Sequence, residues 1–190
     1  MRCGSLLLLM KNEFLEAVMS NESAHTIFSK PTEAAIWKIL ECVMDPEVPV
    51  LSVLDLGIVR AVHISDEQIQ ITITPTYSGC PAMDVISMDI RLKLIEHGFR
   101  NVHIQQQLSP AWTTDWMTES GKQKLKAFGI APPNPKQQFC KTELFAEEAV
   151  QCPRCNSYHT QLVSQFGSTA CKSMYRCLDC KEAFDHFKCH

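Results

Sequence analysis

The apolar and polar positions of this chain change period several times, and each change marks an element. "EAAIWKILECVMD" (33–45) sets Ile36, Ile39, Leu40 and Val43 at helical spacing. Ser29 or Thr32 offers a cap beside Pro31, a residue that a first helical turn tolerates. "DPEVPVLSV" (45–53) carries two prolines, which forbid a continuing helix and predict extended chain. "DLGIVRAVHI" and "QIQITITP" then alternate with period two across the polar turn "SDE", the pattern of a β-hairpin. After Cys80 the period lengthens again. Val85, Met88, Leu92 and Ile95 form one stripe, with Ile86, Ile90 and Leu94 beside it. An apolar face that wide predicts a largely buried helix, ending at His97-Gly98. "NVHIQQQLSP" reads as a third strand, so strand–helix–strand predicts a right-handed crossover. "AWTTDWM" reads as a loop before a short helix over Glu119–Phe128.

These elements divide the 190 residues into four parts. Residues 1–30 are a poorly patterned, disordered extension, within which Met10 and Met19 are alternative starts. Residues 31–128 are a small α/β domain, 129–149 a Pro-rich linker opening on "GIAPPNPKQQF", and 150–190 a cysteine-rich tail. Leu6–Met10 is too short for a secretory apolar segment, and no run approaches the ~18 apolar residues of a membrane span. The expected location is the cytoplasm, without membrane attachment. A net charge of −3 argues against a nucleic-acid partner, and the tail's small excess of Lys and Arg makes no phosphate-binding stripe. Neither a nucleotide-binding loop nor a nucleophile triad can be assembled from motifs, so the chain is not expected to be catalytic by itself.

The cysteines change the picture most. Ten are present, and Cys152, Cys155, Cys171, Cys177, Cys180 and Cys189 crowd the last 39 residues. In a reducing compartment such crowding points to metal rather than disulfides. Cys152-Pro153-Arg154-Cys155 and Cys177-Leu178-Asp179-Cys180 are two C-x2-C pairs separated by 21 residues of strand–turn–strand character. Phe166-Gly167-Ser168 supplies the turn. Four thiolates so placed form the tetrahedral site of a zinc ribbon, with iron as the rival metal. Cys171 and Cys189 are left over and are assigned to burial in a small core. His159, His186 and His190 have no ligand spacing and are read as surface residues.

Outside the tail, Cys80 stands at the join of strand and helix, between Gly79 and Pro81. One reading is simple packing. The other is chemistry: with Cys80 as helix cap and Pro81 first in the helix, free N–H groups and the helix dipole would favour thiolate. Asp45, Glu47 and Asp55 flank "PVLSVL", and paired carboxylates can serve acid–base or iron chemistry. The absence of a Glu-x-x-His motif argues against a di-iron oxygenase site in this chain. For Asp55 a cap or turn is the plain reading. Trp112 and Trp116 suit either the core or an interface with a partner.

Three segments carry more than pattern. "DPEVPVLSVLDLGIVR" (45–60), "TPTYSGCPAMD" (74–84) and "LSPAWTTDWM" (108–117) resemble the MIP18-like family. Together with the tail they resemble its branch of phenylacetyl-CoA epoxidase D subunits, where a zinc ribbon follows the MIP18-like domain. The resemblance covers residues 31–190. It implies an α/β fold and a role in aerobic phenylacetate degradation, through assembly or delivery of an iron–sulfur cluster to the oxygenase's iron–sulfur flavin reductase. The alternative is a non-catalytic structural subunit of the epoxidase complex. It also implies that Cys80, in the S-G-C-P motif, is the reactive thiol, with Asp45 and Glu47 of the D-P-E motif in support. One thiol cannot hold a cluster alone. A transient cluster at Cys80 therefore needs ligands from another chain, from the second copy in a homodimer, or from Cys42 or Cys140.

Overall fold

The computed structural model describes residues 32–65, 68–133 and 150–188. The extension over 1–30, most of the linker with Cys140, and Cys189 and His190 lie outside the described residues. The described chain from Glu33 onward belongs to one compact unit.

Helix α1 (Glu33–Leu40) turns Ile36 and Leu40 fully inward. It ends sooner than the apolar spacing predicts, because Cys42 and Val43 turn back on Ile39 and Leu40 through their N–H groups. The segment that follows is not extended as its prolines suggested. It is a chain of turns, held by two aspartates. The Asp45 carboxylate accepts from the Glu47 and Val48 N–H groups at 2.8 and 2.7 Å. The Asp55 carboxylate accepts from the N–H and hydroxyl of Ser52, and from Thr118 and Lys124. These side chains satisfy N–H groups that an extended strand would offer to a neighbouring strand. Leu51, Val53, Leu56 and Ile58 can therefore enter the core from irregular backbone. Gly57 has φ of 66°, and a Cβ there would lie 2.3 Å from the Trp116 carbonyl oxygen. Only glycine suits both demands.

Strands β1 (Val59–Ser65) and β2 (Gln68–Ile73) pair antiparallel as the predicted hairpin. Helix α2 (Ala82–Glu96) then carries the chain to β3 (Val102–Gln106), which pairs parallel with β2. The sheet order is β1-β2-β3. Ile69, Ile71 and Ile73 join Ile86, Ile90 and Leu94 of α2 in the main core. The second stripe does not follow. Val85, Met88, Leu92 and Ile95 are 47–63% exposed. A helix laid on one face of a three-stranded sheet has a single contact side, which Ile86, Ile90 and Leu94 fill.

A 3₁₀ turn at Thr114–Trp116 leads to α3 (Glu119–Phe128), capped by the Thr118 hydroxyl, which accepts from the Gly121 N–H at 2.9 Å. Trp112 is core: its ring is buried and its Nε1–H donates to the Leu56 carbonyl at 2.9 Å. Trp116 is half-buried, with the Arg60 guanidinium 3.4 Å from its ring centre.

The tail is an antiparallel meander of β4 (Thr160–Ser164), β5 (Lys172–Cys177) and β6 (Ala183–Phe187). It has a small core of its own around Cys152, Tyr175, Cys177 and Phe184. It is also joined to the α/β part. The Ala131 N–H donates to the Asp185 carbonyl, and the Phe187 N–H to that of Ala131, at 2.8 and 2.9 Å. Phe187 meets Trp112 edge-on at 6.2 Å, and both Phe187 and Cys171 belong to the main core. His186 is buried, contrary to its reading as a surface residue, because it stands on the strand that Ala131 pairs with.

Candidate metal centre and thiol pocket

Each C-x2-C pair closes a tight turn of the same build. Cys152 N–H donates to the Ser157 carbonyl, and Cys177 N–H to that of Glu182. The residue after the second cysteine is left-handed in both: Asn156 at φ 62° and Lys181 at φ 67°. The two turns face each other. All four sulfur atoms lie within 4.8 Å of one another, with Cys155–Cys177 at 3.5 Å and Cys152–Cys180 at 3.7 Å. A metal–sulfur bond of ~2.3 Å in tetrahedral geometry demands a sulfur–sulfur spacing of about 3.8 Å. Two of the sulfur pairs already have this spacing, and the four thiols together could hold a metal ion. N–H groups of Cys180 and Asp179 donate toward the Cys177 sulfur and hold that thiol down, while the neighbouring sulfurs push those of Cys155 and Cys180 up. His159 is exposed and paired with Asp179 at 3.0 Å, so it is no ligand.

The second site lies at the head of α2. Cys80 is half-buried, as Gly79 at φ 89° swings the chain from β2 into the helix. A Cβ on Gly79 would meet nothing within 4 Å, so backbone conformation, not a close approach, accounts for this glycine. Pro81 already has helical φ and ψ, and the first N–H of α2, from Ala82, donates to the Cys80 sulfur. The helix cap is thus Pro81 and not Cys80 as the sequence suggested; the helix end still reaches the thiol through the Ala82 N–H, and it loses. Burial pushes the Cys80 thiol above its ordinary value, and the carboxylates of Glu47 and Asp45 add to the rise. The Ala82 N–H and the Tyr77 hydroxyl, both donating to the sulfur, do not offset them. Against the expected thiolate, burial and the neighbouring carboxylates favour the protonated thiol.

A small pocket opens beside Cys80, about the size of one water. The two carboxylates of the D-P-E segment line it with Cys80 and, unforeseen, with Cys171 from the tail. Asp45 is buried, and desolvation raises its carboxyl despite the two N–H groups it accepts from. Glu47 Oε2 stands 3.5 Å from the Cys171 sulfur, and the Thr169 hydroxyl 3.0 Å from it. Burial pushes the Cys171 thiol up to about 11. Cys171 is indeed buried, yet in the main core rather than a small one of the tail. Its single sequence signal is a thiol in the ribbon without a C-x2-C partner. Asp55 is not at the pocket. Burial opposes its charge, but the hydrogen bonds from Lys124 and Ser52 prevail and keep its carboxyl low, as a structural cap. Cys42 does not line the pocket either.

Comparison with known proteins matches two families along the chain. Residues 33–98 match the family of iron–sulfur cluster assembly proteins, and residues 136–188 match the PaaD zinc β-ribbon domain. A protein of Escherichia coli K12, named as a candidate D component of 1,2-phenylacetyl-CoA epoxidase, is 49% identical over 84% of this chain and 94% of its own. An Fe–S protein maturation auxiliary factor of Porphyromonas gingivalis is 35% identical over 61% of this chain and 97% of its own. Among solved structures, a DUF59 domain from Bacillus anthracis is 27% identical, with a TM-score of 0.46, over 49% of this chain and 90% of that one.

Proposed function

Since the chain belongs to the family of phenylacetyl-CoA epoxidase D subunits, we propose that it is a non-catalytic maturation factor of that system in phenylacetate degradation. It assists assembly or delivery of an iron–sulfur cluster to the oxygenase's iron–sulfur flavin reductase. The observation that carries this reading is the placement of Cys80 in a half-buried, carboxylate-lined pocket inside the segment that matches iron–sulfur cluster assembly proteins.

In this reading the cluster is cargo. Cys80 is the thiol that takes hold of it, since thiolate is the ligand that iron–sulfur clusters favour. Burial keeps the unloaded thiol protonated and so less reactive toward oxidants and stray electrophiles. Asp45 fixes the turn that presents Glu47 to the pocket. The ribbon's resident ion is Zn²⁺, which prefers a closed four-sulfur site without redox change and holds the ribbon folded.

The test measures iron and acid-labile sulfide in the reductase, produced in cells lacking this protein, with wild type, or with Cys80→Ala. The expected outcome is an empty reductase in the first and third cases and a full one with wild type. A full cluster in all three would end the maturation reading for this target. A second reading, a structural subunit of the epoxidase complex, is favoured by one feature: the exposed stripe of Val85, Met88, Leu92 and Ile95. Contiguous apolar surface of this kind marks contact sites. That reading expects stoichiometric co-purification with epoxidase components and full tolerance of Cys80→Ala.

A further inference from the structure

The tail and the α/β part meet at the thiol pocket, and the meeting is chemical as well as steric. Cys171 precedes β5 and is 4% exposed. The chain there is fixed from both sides: Lys188 N–H donates to the Cys171 carbonyl at 3.0 Å, and Gly167 N–H to that of Lys172 at 2.7 Å. Cys171 is thereby delivered from 91 positions away to a pocket whose other polar walls are Cys80, Glu47 and Asp45. The Cys171 S–H donates to the Glu47 carboxylate, so this buried thiol is a polar partner in the pocket and not filler alone.

The contact has metal-site dimensions. Bonds of ~2.3 Å to sulfur and ~2.1 Å to oxygen, at a tetrahedral angle, place the two donor atoms about 3.6 Å apart. The Cys171 sulfur and Glu47 Oε2 are separated by 3.5 Å. Cys80 adds a second sulfur on the opposite chain segment. Acidic groups dominate the pocket, and the positive charge acting on both Asp45 and Cys171 is that of Lys172, which is itself drawn toward Asp185 at 3.9 Å. Two soft sulfurs and a hard oxygen suit Fe²⁺ and its close mimic Co²⁺.

We propose that Cys80, Cys171 and Glu47 form a second metal site, built jointly by the α/β part and the ribbon, which takes a thiophilic divalent ion, Fe²⁺ in the cell. The proposal deepens the maturation reading and rests on it for the identity of the metal. Among the described residues the ribbon quartet alone has its donors already within 4.8 Å of one another, so here Cys80 has to come closer to the Cys171–Glu47 pair for all three to ligate. Each thiol gives up its proton on binding, so that two S–H bonds are exchanged for two metal–sulfur bonds and two protons pass to solvent. The ribbon is then a donor of a working ligand and not a separate structural tail.

The experiment uses the full chain with its ribbon filled with zinc, kept free of oxygen, and titrated with Co²⁺. Wild type is expected to take one further ion and to show a thiolate-to-cobalt charge-transfer band. Cys171→Ser and Cys80→Ser are each expected to halve that band and to weaken binding by about tenfold or more, with zinc content unchanged and the fold retained by circular dichroism. Glu47→Gln should weaken binding and leave the sulfur band intact. If wild type with a zinc-filled ribbon takes no further ion, or if Cys171→Ser binds like wild type, the proposal is overturned. The reductase measurement separates the two ideas. Full delivery by Cys171→Ser beside failure of Cys80→Ala sinks the shared site and leaves the maturation role standing. Thiol-dependent cobalt binding beside a reductase that fills without this protein does the reverse.

Discussion

At the scale of single residues, burial decides more than sequence neighbours do. Cys80 shows this: its helix-end position favours thiolate, and its surroundings reverse the sign. His186 shows it with a consequence for stability. It is 4% exposed, between the Tyr175 ring at 5.6 Å and the Ser173 hydroxyl at 3.4 Å from Nδ1. Burial pushes its imidazole down to about 4 from an ordinary 6.5. The folded state therefore holds it neutral, while the unfolded chain takes up a proton as pH falls below 6.5. Its contribution is complete above that value and is lost progressively from pH 6.5 toward 4, at roughly 1.4 kcal/mol per pH unit. His186→Gln, which cannot take up a proton, is expected to flatten this part of the acid limb. Urea unfolding of both proteins at several pH values between 5 and 7 checks it, since other groups cancel in the difference. Parallel curves would place the acid sensitivity elsewhere.

At the scale of elements, the helices and the hairpin were legible because their signals are local. Thr118 and Gly129 bracket α3, and the period-two run from Val59 to Ile73 could be little else than paired strands. Two features were not legible. The turns over 44–58 depend on carboxylates that accept from N–H groups two or three residues away, and the prolines there fit either outcome. The one-sided burial of α2 depends on how much sheet the rest of the chain supplies, which no window of the helix contains. That asymmetry is testable. Met88→Lys, at 63% exposure, is expected to change stability by no more than about 0.5 kcal/mol. Ile90→Ala, on the buried stripe, should cost about 2–5 kcal/mol. Chemical denaturation of the two variants compares them directly. A large loss from Met88→Lys would mean that the outer stripe is covered in the folded chain.

At the scale of the whole molecule, the ribbon's cysteines were readable from spacing alone, whereas its attachment was not. The spacing of the C-x2-C pairs encodes the metal centre locally. The contacts of Phe187 with Trp112, of Ala131 with β6, and of Cys171 with Glu47 join positions far apart in sequence. These contacts make the ribbon part of the main core, since Phe187 and Cys171 are both buried in it. A ribbon of this size has little core of its own, and small domains with four-thiol sites generally draw much of their folding free energy from the metal. Stripping the metal should therefore do more than melt the tail. It should withdraw Phe187 from Trp112 and open the pocket at Cys80, so that the α/β part loses stability as well. Thermal unfolding with and without a strong chelator, followed by Trp112 fluorescence in a variant with Trp37 and Trp116 replaced by Phe, reads this coupling. The expected result is a midpoint several degrees lower after chelation and a Trp112 signal that reports solvent exposure. A Trp112 transition unmoved by chelation would mean that the two parts stand independently, and that the ribbon holds its thiol at the pocket without supporting the fold beneath it.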